Sequence, residues 1–325
     1  KNGKPHAWLT GRDLAALEPG LVRGLTGAAV TDEWWVDVSR LCWANALSAI
    51  EAGADVRNHA RVEALLREGA AVAGARVRDT LTGRAEELRA KVVVNAAGPW
   101  VDRVAGLAGA RARIRPGKGI HLVLERRVSP IGVITEAVDG RQIFVIPGGS
   151  GSLIGTTDDD YYGDPDRVAA TEDEVEYLLQ SAETAFPAIR DYRIVRTTAG
   201  LRPTLFEYGR TEDALSRGHR VIEHAEAPGL ITIAGGKLAA YRLMAEETAD
   251  AACRRLSWKQ GCTTHRAFLP GGDAPPPESA DPLVRGLARR HGSRADRVLE
   301  IGRAAPRAMQ PVCANEGVTE AEVRW

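Results

Sequence analysis

At 325 residues the chain is long enough for about two domains, each burying its own core. Its 43 acidic and 43 basic side chains cancel, which removes the basic footprint expected of a nucleic-acid-binding protein. With 44% hydrophobic and 26% charged residues the composition is that of an ordinary globular protein, and no apolar run approaches the ~20 residues of a membrane span.

The four cysteines (Cys42, Cys253, Cys262, Cys313) are scattered and form no CxxC pair. Idle thiols in a reducing cytoplasm are the expectation. Lys1 opens no recognisable signal peptide.

In chain order, residues 1–30 read as loop plus a short helix, with Thr10 as N-cap and Pro19-Gly20 as a stop. VTDEWWVDVSRL reads as a strand, its Trp34 and Trp35 covering a sheet face, and a helix follows from Ser39 to Ala52 with Leu41, Ala44, Leu47 and Ile50 three apart. From Asp55 to Val94 the pattern is a strand meander with a hairpin turn at Leu81-Thr82-Gly83. Val92–Val94 reads as a buried parallel strand running into the tight turn Asn95-Ala96-Ala97-Gly98.

Beyond Arg115, GKGIHLVLERR, RQIFVIPGG and SLIGTTDDDY are three more strands joined by Gly-rich turns. Thr171 with Glu172, Asp173 and Glu174 caps a helix reaching Phe186. Strands follow through Thr197-Thr198 and at His219–Glu223.

ITIAGGKLAAYR then joins a β-branched strand to a helix through Gly235-Gly236. Leu238, Tyr241, Ala245, Thr248, Ala252 and Leu256 mark one helix face. Two glycines let a ligand approach bare backbone, and Lys237 adds charge beside the helix start, so an electron-rich ligand is expected there. LPGGDAPPPES reads as a linker, and residues 281–325 as helical. The β-containing sections alternate, which predicts one domain from residues 41–105 and 232–256 and another from 1–40 and 106–231, interleaved around a ligand.

VVVNAAGPWVD, KGIHLVL, FVIPGG with LIGTTDDDYYGDP, TTAGLRPTLF and IAGGKLAAYR occur in that order. They resemble the FAD-dependent glycerol-3-phosphate dehydrogenases, members of the D-amino-acid-oxidase-like flavoprotein superfamily. The resemblance covers nearly the whole chain, including RHGSRADRVLEIGR of that family's helical domain. It implies an α/β (α+β) fold: a Rossmann-like FAD/NAD(P)-binding domain (41–105, 232–256), a β-sheet substrate or cap domain (1–40, 106–231), and part of a C-terminal helical domain (270–325).

Two family features are missing. No GxGxxG occurs: Gly117-x-Gly119 and Gly149-x-Gly151 lack the third glycine and join strand to strand, whereas the fingerprint lies between strand and helix. The Arg-rich segment that follows it in the family is also not found. The chain therefore reads as a fragment, expected to bind FAD weakly or not at all by itself.

The reaction implied by the resemblance moves a hydride from C2 of sn-glycerol 3-phosphate to the flavin, gives dihydroxyacetone phosphate, and passes electrons to quinone. Arg202 in GLRP matches the family's substrate arginine, able to grip phosphate or the alkoxide bidentately; pairing with an Asp or Glu at a strand end is the alternative. Gly235, Gly236, Lys237 and Leu238 match the segment at the flavin pyrimidine edge. A helix N-terminus is worth about 0.3–1 kcal/mol to an anion there. A lysine ~4 Å away is worth up to ~4 kcal/mol at an effective dielectric of ~20, so Lys237 would dominate if it points inward.

Ala97 and Gly98 match the turn passing close to the cofactor, and Val62 the backbone near adenine, with strand packing an equal account. Lys118 and His121 are substrate-side candidates against a structural reading. Thr156, Thr157 and Asp158 fit local turn bonding. Asp158-Asp159-Asp160 lacks the spacing of a calcium loop, so no metal is expected. Cys313 alone cannot build a four-thiolate cluster with its own segment.

The resemblance further implies peripheral association with the inner face of the cell membrane and leaves a homodimer open. The competing readings are a glycerophosphate oxidase, another FAD-dependent amine or amino-acid oxidase, and an inactive remnant or binding module.

Overall fold

The computed structural model describes residues 6–32, 35–209, 218–313 and 317–325. Trp34, Ala314, Asn315 and the Cys313 side chain lie outside that description. The chain divides into two compact units, one of Lys1–Trp8, Ala29–Arg57 and Arg266–Trp325, the other of Leu9–Ala28 and Asn58–His265.

The elements begin with β1 (His6–Thr10), α1 (Gly11–Leu17), β2 (Gly27–Thr31), α2 (Val38–Glu51), β3 (Ala60–Glu68), β4 (Ala71–Asp79), β5 (Ala85–Arg89) and β6 (Val93–Asn95). The middle holds α3 (Val101–Gly106), β7 (Ile114–Leu124), β8 (Val133–Glu136), β9 (Gln142–Gly148), β10 (Gly151–Gly155), β11 (Asp159–Asp160) and α4 (Glu172–Glu183). Then come β12 (Ile194–Leu205), β13 (His219–Glu223), β14 (Leu230–Gly235), α5 (Tyr241–Arg255), α6 (Pro282–His291), α7 (Ala295–Ala304), β15 (Pro311–Cys313), β16 (Val318–Thr319) and α8 (Glu320–Arg324).

Among the described residues, the larger unit is built on an antiparallel sheet ordered β11-β7-β10-β9-β8, with β12 also paired to β7. Side chains alternate along a strand, so β7 has two faces. Ile120, Leu122 and Leu124 are fully buried with Ile143, Val145 and Ile154 against Leu178 and Ala182 of α4 and Phe186 and Ile189 beyond it. A capping box between Thr171 and Glu174 starts α4 where the sequence predicts it. The intervening positions Gly117, Gly119 and His121 face the other way.

A second sheet pairs β6 and β14 in parallel, Leu230 beside Val93, with β13 antiparallel on β14. Val101, Ala105, Ala108, Leu230 and Ala234 form its core, the small alanines letting α3 lie close to the sheet. The third sheet is the predicted meander β3-β4-β5.

Several details differ from expectation. The strand predicted over residues 30–41 ends at Thr31, and α2 begins at Val38 after an Asp37 cap. Trp35 is 59% exposed and lies outside any strand. The segment after Gly236 is a short 3₁₀ turn over Leu238–Ala240, and α5 proper begins at Tyr241. Its buried side carries Thr248 and Ala251, whereas Ala245 is exposed. Of the predicted stripe, Thr248 is buried and Tyr241, Ala252 and Leu256 are half-buried, while Leu238, in the 3₁₀ turn, and Ala245 are exposed.

The smaller unit packs Leu287, Ala295, Val298, Ala308 and Ala321 into one core. α2 belongs to this unit rather than with residues 58–105: Arg40 donates to His291 Nδ1 (3.3 Å) and Arg294 to Glu51 (3.2 Å). The Pro/Gly stretch at 269–279 is not wholly a free linker, since Gly271 accepts a hydrogen bond from the Ser293 amide (3.0 Å). The predicted helical region 281–325 also holds the β15–β16 pair.

Candidate functional site

The face of β7 turned away from α4 carries no side chains at Gly117 and Gly119. Register places Arg202 of β12 beside Gly117, and both Thr198 of β12 and Gly155 of β10 beside His121. The Arg202 side chain lies over the strand: a Cβ on Gly119 would sit 2.6 and 2.8 Å from its two Nη atoms. Arg202 donates from Nη1 to Asp158 Oδ1 (2.8 Å) and from Nη2 to Thr156 Oγ1 (3.2 Å) and the Thr157 carbonyl (3.1 Å). The alternative reading of Arg202, pairing with an aspartate, is what the structure shows. The expected bidentate fork is not free, because both Nη2 hydrogens are engaged.

His121 shares this face. Its Nδ1 stands 3.5 Å from Thr198 Oγ1 and its ring lies 5.7 Å from that of Phe144. Burial, with the Arg202 charge adding to it, pushes its pKa below the usual histidine value. A neutral imidazole at neutral pH follows.

Lys118 does not join them. Three positions from His121 it points to the α4 side, where its Nζ donates to Glu174 Oε2 (2.7 Å). The two side chains are 10% and 14% exposed. Burial disfavours the Glu174 carboxylate, but hydrogen bonds from Lys118 and Thr171 outweigh it and its pKa falls. Strand parity places Lys118 on the α4 side of β7, away from His121 and Arg202.

The three consecutive aspartates also separate. Asp158 meets Arg202, Asp159 lies 3.8 Å from Arg141, and Asp160 pairs with Arg115. Among the described residues no group of three His, Cys, Asp or Glu side chains could hold a metal ion.

A second group of predicted residues gathers at the carboxyl ends of β6 and β14. Asn95 is buried; its Nδ2 donates to the Val101 carbonyl (2.8 Å) and Thr232 Oγ1 (3.3 Å), and its Oδ1 accepts from the Ala97 amide (3.3 Å). That shapes the turn at Ala97 and Gly98. Gly98 has φ +53°, and nothing lies within 4 Å of where its side chain would project. Gly235 (φ +77°) and Gly236 (φ +86°) have a packing reason for being glycine: a Cβ would lie 2.6 Å from Gly218 O at the first and 2.4 Å from Met244 Sδ at the second. Lys237 and Leu238 follow, both exposed, and the Lys237 side chain makes no hydrogen bond or ion pair with another described residue. Val62 on β3 is likewise exposed. β12 touches both β14 and the turn at Gly98–Trp100, so Gly98, Gly235 and the end of Arg202's strand lie in one region.

A concavity of about 630 Å³ opens beside this region, walled by Pro99, Arg103, Arg113, Pro116 and Phe206. It contains none of the predicted site residues, and Arg103 there is spent on Asp164 (2.5 Å) and Asp166 (3.0 Å).

The ends of the parallel strands β6 and β14, a turn of small residues and open space at Gly98 are features that suit a dinucleotide in open parallel sheets. These residues fit FAD. The model of the FAD dependent oxidoreductase family (DAO) matches residues 1–242, and the chain belongs to that family.

One subunit of the anaerobic glycerol-3-phosphate dehydrogenase of Escherichia coli K12 is 39% identical over 324 residues, 95% of this chain and 59% of that protein. The aerobic glycerol-3-phosphate dehydrogenase of Staphylococcus epidermidis is 32% identical over 337 residues, 94% of this chain and 60% of its own. Among solved structures, the glycerol-3-phosphate dehydrogenase of Bacillus halodurans complexed with FAD matches with a TM-score of 0.80 at 31% identity, covering 94% of this chain and 66% of that one. The chain thus spans about three fifths of the length of these relatives by sequence. The resemblance expected from the motifs and the expected fold class are both borne out.

Sequence reasoning missed the weight of Asp158, Gly117 and Gly119. The signal was present as GKG and GTTD, but only the pairing of β7 with β12 shows that these glycines make room for Arg202.

Proposed function

We propose that the protein oxidises sn-glycerol 3-phosphate to dihydroxyacetone phosphate, with FAD as acceptor. The observation that carries the proposal is Arg202 held over bare β7 on the same face as His121. The names of the most similar relatives support the choice of substrate.

Ala97, Gly98, Gly235, Gly236 and Leu238 would hold the flavin end of the cofactor, with Val62 toward its adenine end. Bound FAD supplies a two-electron acceptor for the hydride leaving C2. Arg202 keeps two diverging N–H groups, on Nε and Nη1, either of which can donate to an anionic substrate oxygen. His121, neutral, accepts the C2 hydroxyl proton at a ring nitrogen. Lys237 contributes positive charge where negative charge develops on the acceptor.

Quinone as onward acceptor and peripheral attachment to a membrane belong to the same proposal. No described helix is long and apolar enough to cross one.

The test is steady-state assay of the holoenzyme with sn-glycerol 3-phosphate, reading dihydroxyacetone phosphate with a quinone analogue and with oxygen in parallel. Turnover with the quinone analogue is expected, together with loss of activity in Arg202→Gln. Peroxide at the quinone rate would replace dehydrogenase by oxidase, and full activity of Arg202→Gln would remove Arg202 from the site.

A further inference from the structure

We infer that Asp158 is a positioning residue for Arg202, holding its guanidinium in the orientation that receives the substrate anion. The inference rests on the reading of Arg202 given above.

An arginine carries five N–H donors in a rigid plane. Three of those on Arg202 go to consecutive residues of one loop: the Thr156 hydroxyl, the Thr157 carbonyl and the Asp158 carboxylate. Three acceptors in fixed positions define the plane of the guanidinium, so each of its two remaining N–H groups, on Nε and Nη1, has a fixed direction. Of the three acceptors only Asp158 is charged. It therefore forms the strongest of the bonds and decides which way the plane turns.

The loop itself is pinned from two sides. Asp159 and Asp160 pair with Lys118 and Gly117 on β7, and Arg141 donates to the Asp158 carbonyl (2.8 Å) while pairing with Asp139 (2.8 Å). Opposite the loop, the strand leaves room. A Cβ on Gly117 would stand 3.0 Å from Asp158 Oδ1, and one on Gly119 would overlap the guanidinium. The two side chains are 35% and 34% exposed, so the pair lies at the surface of the open face and not in the core. An isolated pair at such exposure contributes little to folding. Its cost in conformational freedom instead preorganises a binding group.

A carboxylate against a substrate-binding arginine can also act as a rival for it. The two roles give opposite kinetics: loss of a positioning group weakens substrate binding, whereas loss of a rival tightens it.

Asp158→Asn in the holoenzyme keeps shape and removes charge. We expect KM for sn-glycerol 3-phosphate to rise about tenfold, as for loss of a charge-assisted hydrogen bond, with kcat and the flavin absorbance per chain nearly unchanged. Asp158→Glu, which restores the charge on a longer arm, should recover part of the KM. Asp158→Asn combined with Arg202→Gln should be no worse than Arg202→Gln alone, because the first residue acts through the second. An unchanged or lowered KM in Asp158→Asn, or multiplying losses in the double variant, would overturn the inference. If Asp158→Asn does not fold, Asp158→Glu carries the test, and a wild-type KM in a variant whose carboxylate has moved by a methylene overturns the inference equally. Should Arg202→Gln itself keep wild-type KM, the reading of Arg202 fails and this inference with it; a raised KM there beside an unaffected Asp158→Asn removes Asp158 alone.

Discussion

Lys118 and His121, three residues apart on β7, face opposite sides of their sheet: the lysine pairs with Glu174 of α4, and the histidine stands on the open face with Arg202. Strand alternation makes an odd separation a change of side. The lysine is thereby part of the packing, and the histidine shares its face with Arg202.

Lys118→Met should lower stability without a specific effect on KM. The change leaves the Glu174 carboxylate without its 2.7 Å partner in a largely buried place, a loss of about 2 kcal/mol. A lower thermal midpoint with KM near wild type is the expected pair of results; a large rise in KM at unchanged stability would contradict the assignment.

Gly119→Ala should damage substrate binding more than folding. The new Cβ would occupy space 2.6 Å from Arg202 Nη2 and 2.8 Å from Thr156 Oγ1, so the guanidinium must leave its seat. Loss of those bonds corresponds to about a ten- to hundredfold fall in kcat/KM. Steady-state kinetics beside a thermal melt separates the two effects.

The acid limb of kcat/KM should lie below the ordinary histidine range. Burial and the Arg202 charge both lower the His121 pKa, so the neutral base persists to lower pH and activity is lost only as pH falls through the depressed value. Arg202→Gln removes one of the two causes and should move the residual activity's limb upward. A pH profile of both enzymes checks the sign.

Acid should weaken the smaller unit through Glu322 and His291. Burial disfavours the Glu322 charge, yet bonds from Arg290, the Thr319 amide and His291 prevail and hold its pKa at about 2 against an ordinary 4.5. Its folded value is depressed, so its contribution is fully present above the unfolded value and lost as pH falls through the folded one. His291 is also depressed, chiefly by burial; below its ordinary value the unfolded chain takes up the proton first, which favours unfolding. Arg40 donates to Nδ1, leaving Nε2 as the donor to Glu322 (2.9 Å). Trp325 meets the His291 ring edge-on at 5.0 Å. Denaturant midpoints followed by tryptophan fluorescence should therefore fall on acidification from neutral pH. In Glu322→Gln, stability at neutral pH should be lower by on the order of 2–3 kcal/mol and its acid dependence shallower.

Features set by near neighbours are legible in the sequence. Thr10 and Thr171 cap helices as predicted, because a cap involves only residues three apart. The turn Asn95–Gly98 and the junction Gly235-Gly236 lie where the motif order puts them. The predicted helix face holds at Tyr241, Thr248, Ala252 and Leu256, but its first member Leu238 falls in a 3₁₀ turn that no local pattern announces. The glycines at the end of β14 are expected to admit a ligand, yet the atoms they avoid belong to Gly218, Leu205 and Met244.

The amino-acid sequence by itself determined the family, the strand–turn–helix elements and the identity of Arg202, His121 and Lys237 as candidates, since each of these is carried by residue type and near-neighbour spacing. Only the tertiary structure decided which of them meet. The register of β12 on β7 puts Arg202 beside Gly117 and against Asp158, strand parity sends Lys118 to α4, and the Arg40–His291 bond draws α2 to the C-terminal helices. Pairing register and packing partners are set by burial summed over residues far apart in the chain, and that sum is not written in any one segment.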